Sequence, residues 1–286
     1  MKALVAGRRR WILLAIAVAG IWSAIHIDLR PSLLLDNPSP GTAIDFFTAA
    51  FQPALTYEAE FVPDGTAPLW VKVLEGLGRT VMFAAASIGL SIPIGLFLGF
   101  LGSSAWWSRS LSEAATKGTR LLRVVTPILT SCTRVVTALM RSIHELLWAV
   151  LLLVAIGNNH LAAVIAIAIP FAGTLAKIFA EMVDEAPDRA SEALRSAGAS
   201  PTQIFLFGLV PTVFADLCSY AIYRFECALR SSAILGFFGI PTLGYYLKLS
   251  FENLHYHEVW TYLYALFALV LLVDAWSGRL RRELTA

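Results

Sequence analysis

Long apolar runs, separated by short stretches that hold most of the arginines and lysines, dominate this chain of 286 residues. Of its residues, 57% are hydrophobic and only 15% are charged, a balance too apolar for an ordinary soluble domain. An apolar run of about 20 residues crosses a bilayer as a helix, because a helix satisfies its backbone hydrogen bonds within the segment. The sequence therefore predicts an all-α polytopic membrane protein.

The basic residues set the predicted number and orientation of the spans. Lys2 and Arg8–Arg10 precede the first apolar run, further basic residues crowd the segment 102–141, and arginines end the chain. By the positive-inside rule these clusters lie in the cytoplasm, so we expect six spans with both termini cytoplasmic. In the second span, Gly95 and Gly99 form a small-xxx-small pattern that predicts close helix packing. The six predicted spans are Trp11–Ile27, Thr80–Leu101, Glu145–Ile156 at the least, Leu161–Phe179, Thr212–Phe238 and Val259–Val273.

Residues 1–79 are predicted to form an N-terminal unit, in which an anchor span is followed by an acidic, proline-rich segment on the periplasmic side. A cleaved signal peptide is the alternative for the first run, since small residues lie near Ser23-Ala24 behind a basic start. Within the outer segment, Ile44–Phe51 predicts a short amphipathic helix on the membrane surface. Residues 80–286 are predicted to form the main transmembrane domain.

The stretch Glu185–Pro211 predicts a polar helix-turn-helix between two apolar runs. Pro187 and Asp188 suit the first helical turn, and Gly198 suits a left-handed cap at the end of that helix. Mostly small apolar side chains share one face of the helix, and Ser200-Pro201 begins the next helix. A short helix with such a face, held at a membrane surface between two spans, is expected to fit a groove on a partner protein.

This loop resembles the EAA loop of the permease subunits of bacterial ABC importers, and its Glu-to-Gly-to-Pro spacing agrees with that family's pattern EAA-x3-G-x9-I-x-L-P. The departures are Leu194 for the second alanine, Gly208 for the usual isoleucine and Val210 for the usual leucine. The resemblance implies that the motif couples the chain to a separate ATPase subunit. The motif residues are Glu192, Ala193, Leu194, Gly198 and Pro211.

Over roughly Leu77–Arg282 the chain more closely resembles the permeases of phosphonate transporters. His144 replaces a usual proline, and Pro241-Thr242 lies where that family tends to carry glycines. The matching stretches are Arg141–Ala149, Tyr223–Glu226 with Arg230, Leu235–Gly244 and Leu272–Ala275.

The resemblance implies a MetI-like permease fold with about six transmembrane helices in the bacterial inner membrane. It implies a symmetric homodimer with two cytoplasmic ABC ATPase subunits, surrounded by membrane lipids. A periplasmic binding protein would supply a phosphonate, phosphite or phosphate.

Three charged residues in the fifth predicted span, Arg224, Glu226 and Arg230, are unusual for a membrane helix. Ionisable groups at depth cost about 2.5–3.5 kcal/mol each, so they normally face protein or water. Glu226 and Arg230 are four residues apart and can pair, which makes a structural ion pair one interpretation. The other hypothesis is that Arg224 and Arg230 line the translocation pathway, since guanidinium groups suit phosphate geometry.

The outer segment between the fifth and sixth spans is the hypothesised gate. Its glycines are Gly236, Gly239 and Gly244. Also in this region, His255 and His257 are candidate metal ligands, but no third ligand is evident, and ordinary polar loop residues are the alternative.

The sequence contains no catalytic motif that would make the chain an enzyme. No lysine follows the P-loop pattern, His144-Glu145 lacks the second histidine of a metalloprotease motif, and no G-x-S-x-G elbow is present. We therefore expect ATP to be bound by a partner subunit. We expect no metal, no other cofactor and no nucleic-acid partner for this chain.

Two further classes of transporter remain as alternatives. A secondary transporter driven by an ion gradient predicts inverted repeats and acidic residues at the midplane; no repeat is evident, and Glu226 is the main acidic candidate. An ABC permease for another small solute, such as an amino acid, taurine or glycine betaine, is the alternative within the importer class.

Overall fold

The computed structural model describes residues 2–27, 40–59, 61–104, 120–187 and 189–285, and every regular element in these ranges is helical. This confirms the predicted all-α class. The helices are α1 (Lys2–His26), α2 (Pro40–Ala49), α3 (Leu69–Gly102), α4 (Arg120–Ser142), α5 (Glu145–Ile156), α6 (His160–Asp184), α7 (Arg189–Ser196), α8 (Pro201–Ile204), α9 (Val210–Ile234), α10 (Leu243–Glu252) and α11 (Tyr256–Thr285). A π-helical turn, Phe205–Leu209, joins α8 to α9, and a 3-10 turn, Leu235–Phe238, follows α9.

The described helices account for four to five spans rather than six. Four segments are long and apolar enough to cross a membrane: α3, α6, Phe205–Phe238 and most of α11. The third predicted span coincides with α5, but the 12 residues of α5 reach only about 18 Å, less than the roughly 30 Å hydrocarbon core. It forms a span only together with α4, from which it is bent by 89°. The apolar part of α1, Arg10–His26, is shorter than the four long segments.

The chain divides into two compact units. The first, Met1–Phe51, contains α1 and α2, and α2 begins four residues before the predicted amphipathic helix. The second, Gln52–Ala286, contains all the other helices. The predicted functional division at residue 80 stays a prediction.

The pair α3 and α6 forms the most extensive helix contact of the second unit. A Cβ atom on Gly95 would lie 2.7 Å from Leu175 Cβ, and one on Gly99 would lie 2.9 Å from the Ala176 carbonyl oxygen. The two backbones approach this closely because neither glycine has a side chain, as the small-xxx-small pattern predicted. Of the buried alanines of α6, Ala172 and Ala176 lie beside these two glycines.

The helix α3 begins eleven residues earlier than the predicted span, at Leu69 instead of Thr80. Its extra turns carry Lys72, Glu75 and Arg79, whose charges explain why the apolar pattern starts only at Thr80.

These turns form part of what we call the outer cap, residues 52–59, 61–79 and 243–262. Its core is a cluster of buried side chains: Leu69, Val73, Leu243 and Tyr262. Lys72 Nζ lies 4.9 Å from the centre of the Tyr57 ring and 5.6 Å from that of Tyr246. Burial raises the pKa of the Tyr246 phenol, so this partner of Lys72 remains a neutral ring. The described segment after Gln52 therefore packs with α10 and α11.

We predict that Gly99→Val destabilises the protein, because its side chain would collide with backbone atoms of α6. Overpacking of this kind costs about 1–3 kcal/mol in the free energy of unfolding. Gly89→Val is the matched control in the same helix, since a Cβ there meets nothing within 4 Å. The measurement is the thermal unfolding midpoint of each purified variant in detergent. Equal midpoints for the two variants would contradict the predicted contact.

Candidate functional site

The helix α7 is closed at its C-terminal end by a glycine in the left-handed conformation. Gly198 has φ +80°, and its N–H donates to the Arg195 carbonyl at 3.0 Å. The N–H of Ala199 donates to the Leu194 carbonyl, also at 3.0 Å. These two bonds form a Schellman motif, which satisfies carbonyls that the helix end would otherwise leave free. The structure thus contains the left-handed cap that the sequence predicts.

A capping box begins the next helix of the loop, as expected from Ser200-Pro201. The Ser200 N–H donates to Gln203 Oε1 at 2.9 Å, and the Gln203 N–H donates to Ser200 Oγ at 3.4 Å. This reciprocal pair satisfies two backbone donors of α8. Because both ends of the turn are capped, α7 is held in a fixed direction relative to α8. Asp188, predicted for the first turn of α7, lies outside the described residues.

The surface of α7 divides into an inward and an outward part. Ser191 is fully buried and Leu194 is half-buried against the π-helical turn, whereas Glu192 and Ala193 are exposed. Gly198 is exposed as well. The predicted small-residue face is therefore largely free in this chain, except that Leu194 is turned inward.

Two departures from the EAA pattern, Leu194 and Gly208, contact each other. A Cβ atom on Gly208 would lie 3.1 Å from Leu194 Cδ1 and 3.7 Å from Ser191 Cα. The leucine at 194 thus occupies space that a side chain at 208 would need. Leucine at 194 with glycine at 208 fills the volume that the family pattern fills with alanine and isoleucine, so the two departures compensate each other.

We predict that the substitutions Leu194→Ala and Gly208→Ile are coupled. Gly208→Ile alone should destabilise the protein through a collision, and Leu194→Ala alone through lost packing. Together they should recover at least about 1 kcal/mol relative to the sum of the single effects, because contacting residues are not additive. Unfolding midpoints of the four proteins measure this coupling. Strict additivity would show that the two positions do not share a volume.

The charged residues of α9 are arranged differently from the expected pair. Arg281 Nη2 donates to Glu226 Oε1 at 3.2 Å, and Ser277 Oγ donates to the same carboxylate. Arg230 is exposed, and its Nη2 contacts Cys227 Sγ at 3.5 Å. The predicted pairing of Glu226 with Arg230 is therefore wrong. Glu226 faces α11, where the Arg281 guanidinium and the buried Ser277 hydroxyl are available, whereas Arg230 contacts Cys227 on its own helix.

Arg224 lies against an aromatic ring. Its guanidinium carbon is 4.5 Å from the centre of the Phe171 ring, a distance suited to a cation–π contact. Its Nε is buried and has no hydrogen-bond partner among the described residues. Neither of the two arginines predicted to line the pathway, Arg224 and Arg230, pairs with Glu226, whose partner is Arg281. Of the predicted pathway residues, Glu226 has an evident structural role, as a link between α9 and α11.

The glycines of the outer segment permit direct backbone contact between the end of α9 and the start of α10. A Cβ on Gly236 would overlap the Tyr245 backbone, and one on Gly244 would overlap the Ala233 carbonyl. Gly239 has φ +88°, which turns the chain back toward α10. The Asn158 side chain donates to the Phe238 carbonyl at 3.5 Å next to this turn.

Buried hydroxyl groups, whose roles sequence reasoning missed, fasten this segment to α3 and to the end of α9. Ser232 Oγ donates to the Thr80 carbonyl at 2.9 Å, and the Leu243 N–H donates to Thr80 Oγ1 at 3.1 Å. Thr242 Oγ1 donates to the Ala233 carbonyl at 3.2 Å. Thr242 stands where the resembled family tends to carry glycine, so the departure supplies a hydrogen bond. The sequence alone does not indicate which backbone group the hydroxyl of a serine or threonine in an apolar run will bind.

Other departures and candidates also have structural partners. His144 caps α5, since its Nδ1 accepts from the Leu146 N–H at 3.3 Å. His255 Nδ1 lies 3.9 Å from Glu258 Oε1, and His257 Nε2 lies 3.8 Å from Glu58 Oε1. The Glu58 N–H also donates to Glu258 Oε1 at 2.8 Å. His257 therefore contributes to the attachment of residues 52–59 to α11, whereas His255 contacts a carboxylate of α11 itself.

These features define a class of protein: an all-α membrane protein of several spans, with a short, capped helix between two of them. The chain belongs to the family of binding-protein-dependent transport system inner membrane components, whose model matches residues 91–285. The match runs from the middle of α3 to the end of α11 and includes both the EAA-like loop and α9. The chain is accordingly a multi-pass inner-membrane protein.

Named relatives and a solved structure agree with this assignment. The phosphite transport system permease protein PtxC of Stutzerimonas stutzeri is 35% identical over 157 residues, which are 55% of this chain and 57% of the relative. The phosphate-import permease protein PhnE of Mycolicibacterium smegmatis is 26% identical over 252 residues, 88% of this chain and 43% of the relative. The chain thus spans about half the length of these relatives.

The inward-facing MetNI methionine ABC transporter has a chain similar to this one, with a TM-score of 0.60 and 21% identity. The similarity covers 77% of this chain and 100% of that chain. It confirms the predicted MetI-like permease fold.

Proposed function

We propose that this chain is the permease subunit of an ATP-driven importer of phosphorus oxyanions such as a phosphonate, phosphite or phosphate. Two copies form a symmetric homodimer, each copy contacts a cytoplasmic ABC ATPase subunit, and a periplasmic binding protein delivers the substrate. ATP is bound by the ATPase, so this chain catalyses no reaction and holds no cofactor. Both termini of the chain lie in the cytoplasm.

The geometry of α7 is the observation that carries the proposal. Its exposed residues Glu192 and Ala193 offer a small, polar-edged surface to the ATPase, while Leu194 packs inward on Gly208. The Schellman cap at Gly198 and the capping box after it keep the helix ends from fraying. A push on α7 is therefore passed on to the spans as the movement of a rigid body.

Movement of α9 would reach the outer segment by the same principle. Pro211 lies at the start of α9, and Gly236 and Gly244 hold the far end of α9 against α10 without intervening side chains. Bistable, closely packed elements convert small shifts into a switch between discrete states. The proposed switch opens the dimer alternately to the cytoplasm and to the binding protein, with Gly236, Gly239 and Gly244 at the outer gate.

Arg224 and the relatives support the substrate class. The two relatives described above are named for phosphite and phosphate. Arg224 has a buried Nε without a described partner, and a guanidinium group can donate two parallel hydrogen bonds to an oxyanion. We propose that Arg224, with Arg230 on the exposed side of α9, provides the positive field of the pathway.

We predict that Gly198→Val uncouples ATP hydrolysis from transport. Valine is strongly disfavoured at positive φ, so the Schellman cap would open and α7 would no longer move with α6 and α9. Gly198→Asn is the control, because asparagine tolerates the left-handed conformation. The measurement compares ATPase activity with uptake in proteoliposomes that contain the chain, its ATPase and its binding protein. Normal coupled uptake by the valine variant would refute the lever.

We also predict that Arg224→Gln lowers uptake of phosphorus oxyanions by about tenfold or more, which corresponds to one lost charge-assisted hydrogen bond. Arg224→Lys should fall between the glutamine variant and wild type, because it keeps the charge and loses the planar donor fork. Initial uptake rates of methylphosphonate, phosphite and phosphate in the same proteoliposomes provide the test. Unchanged rates and preference in the glutamine variant would remove Arg224 from the pathway.

A further inference from the structure

A charged cavity of about 280 Å³ lies where α3, α4 and α6 meet, near the ends of α3 and α6. Its wall includes three basic side chains, Arg134, Arg141 and Lys177, and two acidic ones, Glu181 and Asp184. Leu98, Ala176 and Ala180 form an apolar part of the same wall. The predicted orientation puts this cavity at the cytoplasmic side, just before the loop that contains α7.

Part of this charge is explained by the ends of the helices. Arg134 Nε donates to the Gly102 carbonyl at 3.2 Å, so Arg134 caps α3. Lys177 Nζ lies 3.3 Å from Glu181 Oε1, one turn away on α6. Basic side chains are stabilised near the C-terminal ends of helices, where the helix dipole is negative. These roles account for Arg134 and for one exposed ion pair.

The acidic side chains leave a surplus of positive charge. Asp184 already accepts hydrogen bonds from Ser103 Oγ at 2.7 Å and from the N–H and Oγ of Ser104 at 3.1 and 2.7 Å. Its carboxylate is 3.8 Å from Arg134 Nη2, too long for a strong hydrogen bond. Within the described ranges, Arg141 has no ion-pair partner, although it lines the same cavity.

We propose that this cavity binds a phosphorus oxyanion through Arg141 and Lys177, with Arg134 as a third donor. Two guanidinium forks and an ammonium group can surround a tetrahedral anion, and the exposed pair with Glu181 is weak enough to be exchanged for it. The apolar wall suits the organic group of a phosphonate. The same chemistry fits two sources, a free oxyanion and the phosphate of an anionic lipid headgroup.

A ligand in the cavity would connect α3, α4 and α6 close to the point where α6 leads into the loop Glu185–Pro211. Asp184 ends α6, and α7 begins at Arg189. A ligand held here would therefore bias the position of α7 from the cytoplasmic side. The inference relies on the proposed function only for the identity of the oxyanion.

The test is binding of methylphosphonate to the full chain in phosphatidylcholine nanodiscs, measured by isothermal titration. The variant Arg141→Gln/Lys177→Gln should bind about a hundredfold more weakly, since each of the two lost charged donors is worth roughly a factor of ten. The control Arg79→Gln/Lys248→Gln removes the same charge from the outer cap, where each residue pairs with a glutamate one turn away. Its affinity should be unchanged. Arg141→Lys should retain most of the binding if charge at this position is what the anion requires.

The lipid source is tested by native mass spectrometry of the same proteins after exposure to phosphatidylglycerol. Retention of this lipid by wild type and the control, but not by the cavity variant, would support the site with a headgroup as occupant. Saturable methylphosphonate binding with the same dependence on the variants would support it with a free oxyanion. Absence of both, or equal weakening in the control, would overturn the proposal.

These results are separable from the proposed function. Uptake by the assembled transporter without any binding to the cavity would leave the proposed function intact and remove the cavity. Binding to the cavity without uptake of any phosphorus oxyanion by the assembled transporter would support the cavity site and contradict the proposed function.

Discussion

The close contact between α3 and α6 is the constraint on which the rest of the structure depends. Glycines on one helix and alanines on the other bring two backbones within van der Waals distance, and dispersion between such surfaces is a main source of helix association in lipid. The fixed pair then provides the sites to which other helices attach. Through Thr80 and Ser232, α3 holds α9, and the Gly173 backbone on α6 accommodates Met140 of α4.

In the proposed function, this arrangement would let the short helix α7 act on several spans. The loop that contains α7 leaves the end of α6 and enters the start of α9, and both of these helices are anchored to α3. The caps around α7 make the loop stiff, and the glycine contacts at the far end of α9 make its junction with α10 stiff as well. The Glu226–Arg281 pair adds α11 to the same unit. In the proposed function, a displacement of α7 would reach the spans through these contacts.

Local sequence signals predicted the parts of this structure that depend on neighbouring residues. The cap at Gly198, the start at Ser200 and the glycine spacing of α3 each follow from backbone requirements that one or two residues reveal. Partner choice across helices was not predictable in the same way. Glu226 was expected to pair with Arg230 because both lie on one helix, but Arg281 is 55 positions away and becomes a neighbour only after α11 has packed. The bend between α4 and α5 and the early start of α3 were missed for a related reason, since apolar runs indicate contact with lipid and not where a helix begins.

In the proposed function, this chain is a conduit driven from the cytoplasmic side by a nucleotide-hydrolysing partner. The most direct measurement is accumulation of radiolabelled methylphosphonate in liposomes that contain the purified chain, with and without its ATPase subunit, ATP and binding protein, and with an imposed proton or sodium gradient. The account predicts accumulation only when the partners and ATP are present. Accumulation by the chain alone on an ion gradient would contradict it.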